Sequence, residues 1–256
     1  MNLSADTVAR DPSGTVARDP SGAVSRDARV HPTADVESGV QIGAGTAIWD
    51  HVHVRAPARI GAECIVGGKT YIAGEVEIGD RVKLNAFVYV CSGVTIERGV
   101  MAGAGTIFTN DRFPRATTPD LSELRSSDVD EHTLPTLVRE GASIGAGAVI
   151  GCGIEIGRFA MVGMGSVVSR TVPDFHLVVG SPARTIGCVC RCGEPFVRCA
   201  PGEIPRARAA RCPVCDRVYD VDATGMVTEV FEISDNETPR TETSDTDGTT
   251  ARPGPA

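Results

Sequence analysis

Large aromatic side chains are scarce in this chain. Phe, Tyr and Trp supply 4% of the 256 residues, and there is one Trp. That scarcity argues against an ordinary core built on packed rings. Positive charge is also in short supply: 25 Lys and Arg face 33 Asp and Glu, a formal net charge of −8. No basic surface large enough to favour nucleic acid is implied. No apolar run approaches the length of a membrane span. The opening MNLSADTVARDPSG has neither the basic start nor the apolar stretch of a secretory signal. The expected location is the cytoplasm, a reducing compartment in which nine Cys do not build a disulfide framework.

What the chain does have is glycine, 29 residues of it, among many Val and Ile. That mixture suggests short strands joined by tight corners. From Val30 every sixth residue is apolar: Val30, Val36, Ile42, Ile48, Val54, Ile60, Val66, Ile72, Ile78, Leu84, Val90, Ile96, Ala102 and Phe108. At an apolar fraction of 41% chance gives this run with a probability on the order of 10⁻⁶ to 10⁻⁵. Four residues after each stands a small or β-branched residue, as at Ala34, Val40, Thr46, Val52, Ala58 and Cys64. An α-helix cannot keep a period of six on one face. A strand alternates with period two, so positions four and six both point inward, and a corner then turns the chain. Three strands and three corners make one triangular coil, and stacked coils bury the aliphatic column.

The pattern resumes at Val138, Ile144, Ile150, Ile156, Val162 and Val168. Residues 109–137 interrupt it and are expected to form a functional cover. Residues 1–28 carry a tandem octad, TVARDPSG at 7–14 and again at 15–22, then AVSRDARV at 23–30. Their Pro, Gly, Ser and charge predict a disordered arm. The coil domain is expected over 29–187, a cysteine-rich module over 188–220 and a disordered acidic tail over 221–256.

The six-residue pattern with Ile-Gly and Val-Gly starts resembles the hexapeptide acyltransferase superfamily. The resemblance covers residues 29–187 and implies an all-β, left-handed parallel β-helix that forms trimers. The hand comes from the resemblance, since period alone cannot set it and most parallel crossovers are right-handed. A nearer likeness lies in AIWDHVHV at 47–54, GVTIERGVMAGAGTIFTNDRFPRA at 93–116, TLVREGASIGAGAVIGCGIEIG at 136–157 and VPDFHLVVGSPARTIG at 172–187. These segments resemble bacterial nucleotide-sugar N-acetyltransferases, which acetylate an amino group on a UDP- or dTDP-linked sugar with acetyl-CoA. One departure stands out. Such enzymes carry an Asn-Asn pair where KLNAFVYV places Ala86 and Phe87, with Asn85 one position earlier.

The resemblance implies Asn85 and His53 as catalytic candidates. It places coenzyme A against Gly163, Met164, Gly165 and Ser166, with Arg170 and Arg184 meeting its phosphates. The polar cluster that opens the interruption, Asn110, Asp111, Arg112 and Arg115, is the candidate for binding the sugar nucleotide, because guanidinium forks suit diphosphate. A thioester is already activated, so positioning an unprotonated amine next to its carbonyl supplies most of the catalysis. An acceptor hydroxyl would need a base more, which keeps an O-acyltransferase open as a rival and draws in His132. A β-helical zinc hydratase would need three His around one metal, and His51 with His53 has no third at coil spacing. A non-enzymatic scaffold is the remaining alternative.

Cys190-Arg-Cys192 and Cys212-Pro-Val-Cys215 form two closely spaced pairs. Two such pairs suit tetrahedral thiolate coordination of a structural zinc, as in a small zinc ribbon. Cys188 competes with Cys190 for the first place. Cys64 points inward by register and is expected to pack.

Overall fold

A computed structural model of the chain describes residues 24–126 and 129–230. Among them there is no helix, and strands of two or three residues stack into three parallel sheets. Each short strand puts one residue inward and one outward. In Lys83–Leu84, for example, Lys83 is exposed and Leu84 fully buried.

The first face stacks Arg29–Val30, Ala47–Ile48, Ile65–Val66, Lys83–Leu84, Met101–Ala102, Ser143–Ile144 and Met161–Val162. The second runs from Asp35–Val36 through His53–Val54, Tyr71–Ile72, Tyr89–Val90, Ile107–Phe108 and Val149–Ile150 to Val167–Val168. The third stacks Gln41–Ile42, Arg59–Ile60, Glu77–Ile78, Val94–Ile96, Thr136–Val138 and Glu155–Ile156. The register advances by one coil of eighteen residues, as from Lys83 to Met101. Backbone N–H groups donate to the next coil, as Ala47 does to Cys64 O at 2.8 Å. The core is aliphatic, and Phe108 is the one large ring among the largest fully buried side chains inside the coils. Buried hydroxyls are used up locally: Thr46 Oγ1 donates to Gly61 O at 2.7 Å and accepts from Cys64 N at 2.9 Å. Cys64 packs in the interior as its register implies, and burial pushes its thiol up to about 11.

The lower end departs from the expected boundary. Val24 bridges to Ile42, and Ala28 N–H donates to Ser25 O at 3.0 Å, so residues 24–28 already belong to the first coil. Val30, on the lowest first-face strand among the described residues, is 38% exposed. The octads at 7–22 lie outside the described residues.

The interruption is a folded arm. Met101 pairs with Ser143 rather than with a residue eighteen further on, so 24 extra residues are looped out. Antiparallel bridges Asp111–Thr133 and Thr117–Leu124 zip the arm, and Thr136–Val138 is already back in the third face.

At the upper end His176–Gly180 continues the first face and turns back into Ala183–Val189, which pairs with Pro195–Arg198. A separate sheet joins Ala207–Arg211, Val218–Val221 and Val227–Val230. The acidic tail therefore does not start at 221. Val221 is buried and pairs with Val227 across a turn in which Asp222 Oδ1 accepts from the N–H groups of Thr224 and Met226. Local acidity hid this hairpin, because its carboxylate serves the turn and its valines serve the sheet. Residues 231–256 lie outside the described residues.

Candidate active site and metal centre

The corner between the first and second faces lines up the main candidates. Coil by coil it is occupied by 49–51, 67–69, 85–87, 103–105, 145–147 and 163–165. Asn85 and Gly163 hold equivalent positions three coils apart, about 14 Å at the usual spacing between paired strands. Asn85 is half-buried, and its side-chain amide has no hydrogen-bond partner among the described residues. Beyond it the corner reads Gly103-Ala104-Gly105, then Gly145-Ala146-Gly147, then Gly163-Met164-Gly165. A Cβ at Gly103 or Gly145 would collide with the backbone of the next coil, at Ala146 and Met164 respectively.

Ser166 differs from its expected role. It is fully buried, and its Oγ accepts from Gly180 N–H at 3.1 Å. Its side chain therefore places the Gly180–Ala183 turn. Arg184 follows that turn, half-buried, with Nη1 donating to Ala183 O at 2.8 Å. Arg170 is exposed and sits on the next corner, beyond the strand Val167–Val168. Arg184 pairs with Val179, the residue next to Gly163 in the stack, whereas Arg170 lies on another corner.

His53 stands on the second face, two coils below Asn85. Its Nε2 lies 3.5 Å from Glu37 Oε1 and 3.7 Å from Asp35 Oδ2. Its ring meets Tyr71 edge-on at 5.4 Å, and Tyr71 stacks on Tyr89 at 5.2 Å. The N–H of Ala56, helped by Arg55, holds the Glu37 carboxyl below its ordinary range. His53 is therefore oriented by carboxylates, but one chain does not bring it to Asn85.

The arm divides its four candidates. Asn110 Nδ2 donates to Ser92 O at 3.4 Å, and its carbonyl accepts from Leu134 N–H at 2.8 Å. Asp111 Oδ1 accepts from Phe113 N–H at 2.7 Å. Both close the neck of the arm. Arg112 and Arg115 are exposed and have no ion pair among the described residues. Arg112 lies 5.8 Å from the Phe113 ring, which meets His132 edge-on at 6.2 Å. The arm leaves from the corner between the second and third faces, so it too is separated from Asn85 within one chain.

The thiol cluster is the tightest constellation. The Sγ atoms of Cys190, Cys192, Cys212 and Cys215 all lie within 4.8 Å of one another. Cys190 and Cys215 are 3.3 Å apart and Cys192 and Cys212 3.5 Å. A tetrahedral zinc with Zn–S of about 2.3 Å spaces its sulfurs by about 3.8 Å, so the donor set fits the ion. Cys188 is buried outside this group, so Cys190 is the thiol that joins the other three. Burial raises the Cys190 thiol, while the N–H of Arg217 and then its guanidinium lower that of Cys215. Arg217 Nη1 lies 3.4 Å from Cys215 Sγ, and Tyr219 OH lies 3.2 Å from Cys190 Sγ. Sequence reasoning passed over Arg217 and Tyr219. Their signal was position, two and four residues after the last thiol, where donors can reach sulfur. No other group of three or more His, Cys, Asp or Glu with metal-binding spacing occurs among the described residues, so the zinc hydratase has no His cluster here.

His176 is structural. It is buried, with Nδ1 3.1 Å from Thr185 Oγ1 and Nε2 2.9 Å from Gly225 O. It clasps the upper coil to the module. No helix among the described residues is long and apolar enough to cross a membrane.

No protein-family model matches the chain. It is 58% identical over 57 residues to the dTDP-3-amino-3,6-dideoxy-alpha-D-galactopyranose 3-N-acetyltransferase of Aneurinibacillus thermoaerophilus, 22% of this chain and 30% of that one. It is 31% identical over 119 residues to the serine acetyltransferase of Escherichia coli, 46% of this chain and 42% of that one. The chain thus spans well under half the length of either curated relative. Among solved structures, a variant of AntD, an N-acyltransferase from Bacillus cereus in complex with dTDP and coenzyme A, superimposes with a TM-score of 0.49 at 20% identity. The match covers 58% of this chain and 82% of that one.

Proposed function

We propose that the protein is an acyl-CoA-dependent N-acetyltransferase that acetylates the amino group of a nucleotide-linked amino sugar. The observation that carries the reading is the corner on which Asn85, with its unpartnered amide, precedes two Gly-Ala-Gly turns and a Gly-Met-Gly turn, with Arg184 two strands further on, across from Val179. The local 58% identity to a dTDP-amino-sugar N-acetyltransferase supports the acceptor class.

In this reading the thioester lies along the corner past Gly103–Gly105 and Gly145–Gly147. Gly163, Met164 and Gly165 border it, and Arg184, with Arg170 further out, meets the phosphates. Asn85 orients the amine and its developing tetrahedral adduct. Arg112 and Arg115 bind the sugar diphosphate, with Asn110 and Asp111 fixing the arm that carries them. The coils are left-handed and the working unit is a homotrimer, which joins groups that one chain keeps apart. Outward residues support that side of the prism as the contact. The first two faces show Ile65, Met101, Tyr89 and Ile107, while the third shows Arg59 paired with Glu77 at 3.6 Å. A structural zinc on Cys190, Cys192, Cys212 and Cys215 would hold the module closed and leave no open position for catalysis.

The carboxylate contacts of His53 favour one second reading, O-acyl transfer with His53 as base. The test is thiol release from acetyl-CoA by the purified protein, supplied with UDP- and dTDP-linked amino sugars and with their hydroxyl counterparts. Release with an amino sugar that survives His53→Asn and His132→Asn is the expected result. Release only with hydroxyl acceptors, abolished by His53→Asn, would replace the amine reading. Silence with every acceptor would remove both.

A further inference from the structure

Six of the seven described coils share one backbone solution at the corner between the first two faces. The third corner residue always takes a left-handed φ: 52° at His51, 61° at Lys69, 61° at Phe87, 70° at Gly105, 68° at Gly147 and 66° at Gly165. These six coils take that φ, which the first coil at Thr33 does not, and they take it without needing glycine, because three of them hold larger residues there. Packing does not demand it either. A Cβ at Gly105, Gly147 or Gly165 would meet nothing within 4 Å. These three glycines leave a bare strip of backbone about 10 Å long at ordinary coil spacing, open to close approach by a ligand. Phe87 is the residue at which the strip stops.

Phe87 gains little for its strain. A bulky side chain at positive φ is an outlier, yet its ring is 59% exposed. The comparable Phe159 and Phe175 are compensated by stacking on each other at 5.5 Å. Among the described residues Phe87 has no ring partner; Lys69 Nζ lies 5.6 Å from its ring centre, and that amine is paired with Asp50 at 3.2 Å. Two strands beyond one end of the strip stands a cation, Arg184, across from Val179, and at the other end stands the Phe87 ring.

We propose that Phe87 is a specificity-determining residue that closes the strip and sets the length of the acyl group the protein accepts. The inference rests on the reading that an acyl-CoA lies along this corner, with its anionic part toward Arg184. Its thioester then points down the strip toward Phe87. An acetyl group fits above the ring, and a longer chain runs into it.

The test is binding, without any acceptor. Calorimetry compares CoA, acetyl-CoA and hexanoyl-CoA on the full chain, on Phe87→Ala and on Phe87→Gly, which suits the backbone and matches the coils above. The unaltered protein should bind hexanoyl-CoA at least about tenfold more weakly than acetyl-CoA, the scale on which pockets resolve chain length. Both variants should narrow that gap to about threefold or less and leave CoA itself within about twofold. A gap that persists in both variants, or an equal loss for all three ligands, would overturn the role of Phe87 while leaving acyl-CoA binding intact. If none of the three ligands binds any form of the protein, the acyl-CoA reading fails and this inference with it.

Discussion

The coils and the C-terminal module solve the burial problem in opposite ways. The coils bury one aliphatic side chain per short strand and repeat the arrangement, so Ile48, Val66, Leu84 and Ala102 form a continuous column of small units. The module has a small core of Phe175, Cys190, Cys212 and Tyr219, with Phe196 stacked on Tyr219 at 4.5 Å. Two of those four core residues are thiols of the metal-spaced cluster. A repeat distributes stability over nearest neighbours. A unit with so little apolar area needs a staple. The two regions should therefore fail separately, and for different reasons.

The sharpest way to break the comparison is to remove the staple. Cys212→Ser, or chelation, should abolish one bound zinc per chain and unfold the module, because structural zinc binding is folding free energy of about 10–16 kcal/mol in isolated finger peptides. Metal analysis with hydrogen exchange checks this. Protection should vanish across residues 207–230 and persist across 41–168. Equal loss in both regions would show that the coils depend on the module.

A smaller effect is expected from a cavity in the repeat. Leu84→Ala deletes a fully buried side chain and should cost about 2–5 kcal/mol. Thermal melting should show this drop with the zinc content unchanged. If the zinc were lost as well, the two regions would be one cooperative unit.

The smallest effect concerns the clasp between them. Burial lowers the His176 pKa below the ordinary 6.5, against the opposing pull of the Gly225 carbonyl and the Asp174 charge. The unfolded chain then binds a proton more readily than the folded one, so stability falls as pH drops through about 6.5 and below. Melting temperature should decline from about pH 7 to about pH 5, and His176→Gln should flatten that decline. An unchanged slope in the variant would place the acid sensitivity elsewhere.

Much of the coil region was legible because its rule is local. Positions four and six of each hexad face inward whatever the neighbours do, so Val52 and Val54 could be assigned to the core without any tertiary information. The Cys pairs were legible because two short spacings constrain thiols strongly. The arm was visible as a break in rhythm, but its pairing was not, since Asp111 and Thr133 meet through backbone bridges that no composition records. The hairpin at 221–230 was missed because a stretch averaged with its acidic continuation looks polar, although Val221 and Val227 alternate as a strand should.

The sequence by itself determined the winding: a period of six with three strands per turn follows from strand pleat and corner chemistry, both properties of a few adjacent residues. Only the tertiary structure decided which candidates share a corner. Asn85 aligns with Gly163, His53 falls two coils away and Arg170 lands on the next edge, because lateral position depends on phase within eighteen residues and on a looped-out arm whose length the hexad rule does not set. The clustering of Cys190, and not Cys188, with the other three thiols was also tertiary, since it depends on where a strand end points after two antiparallel turns have folded.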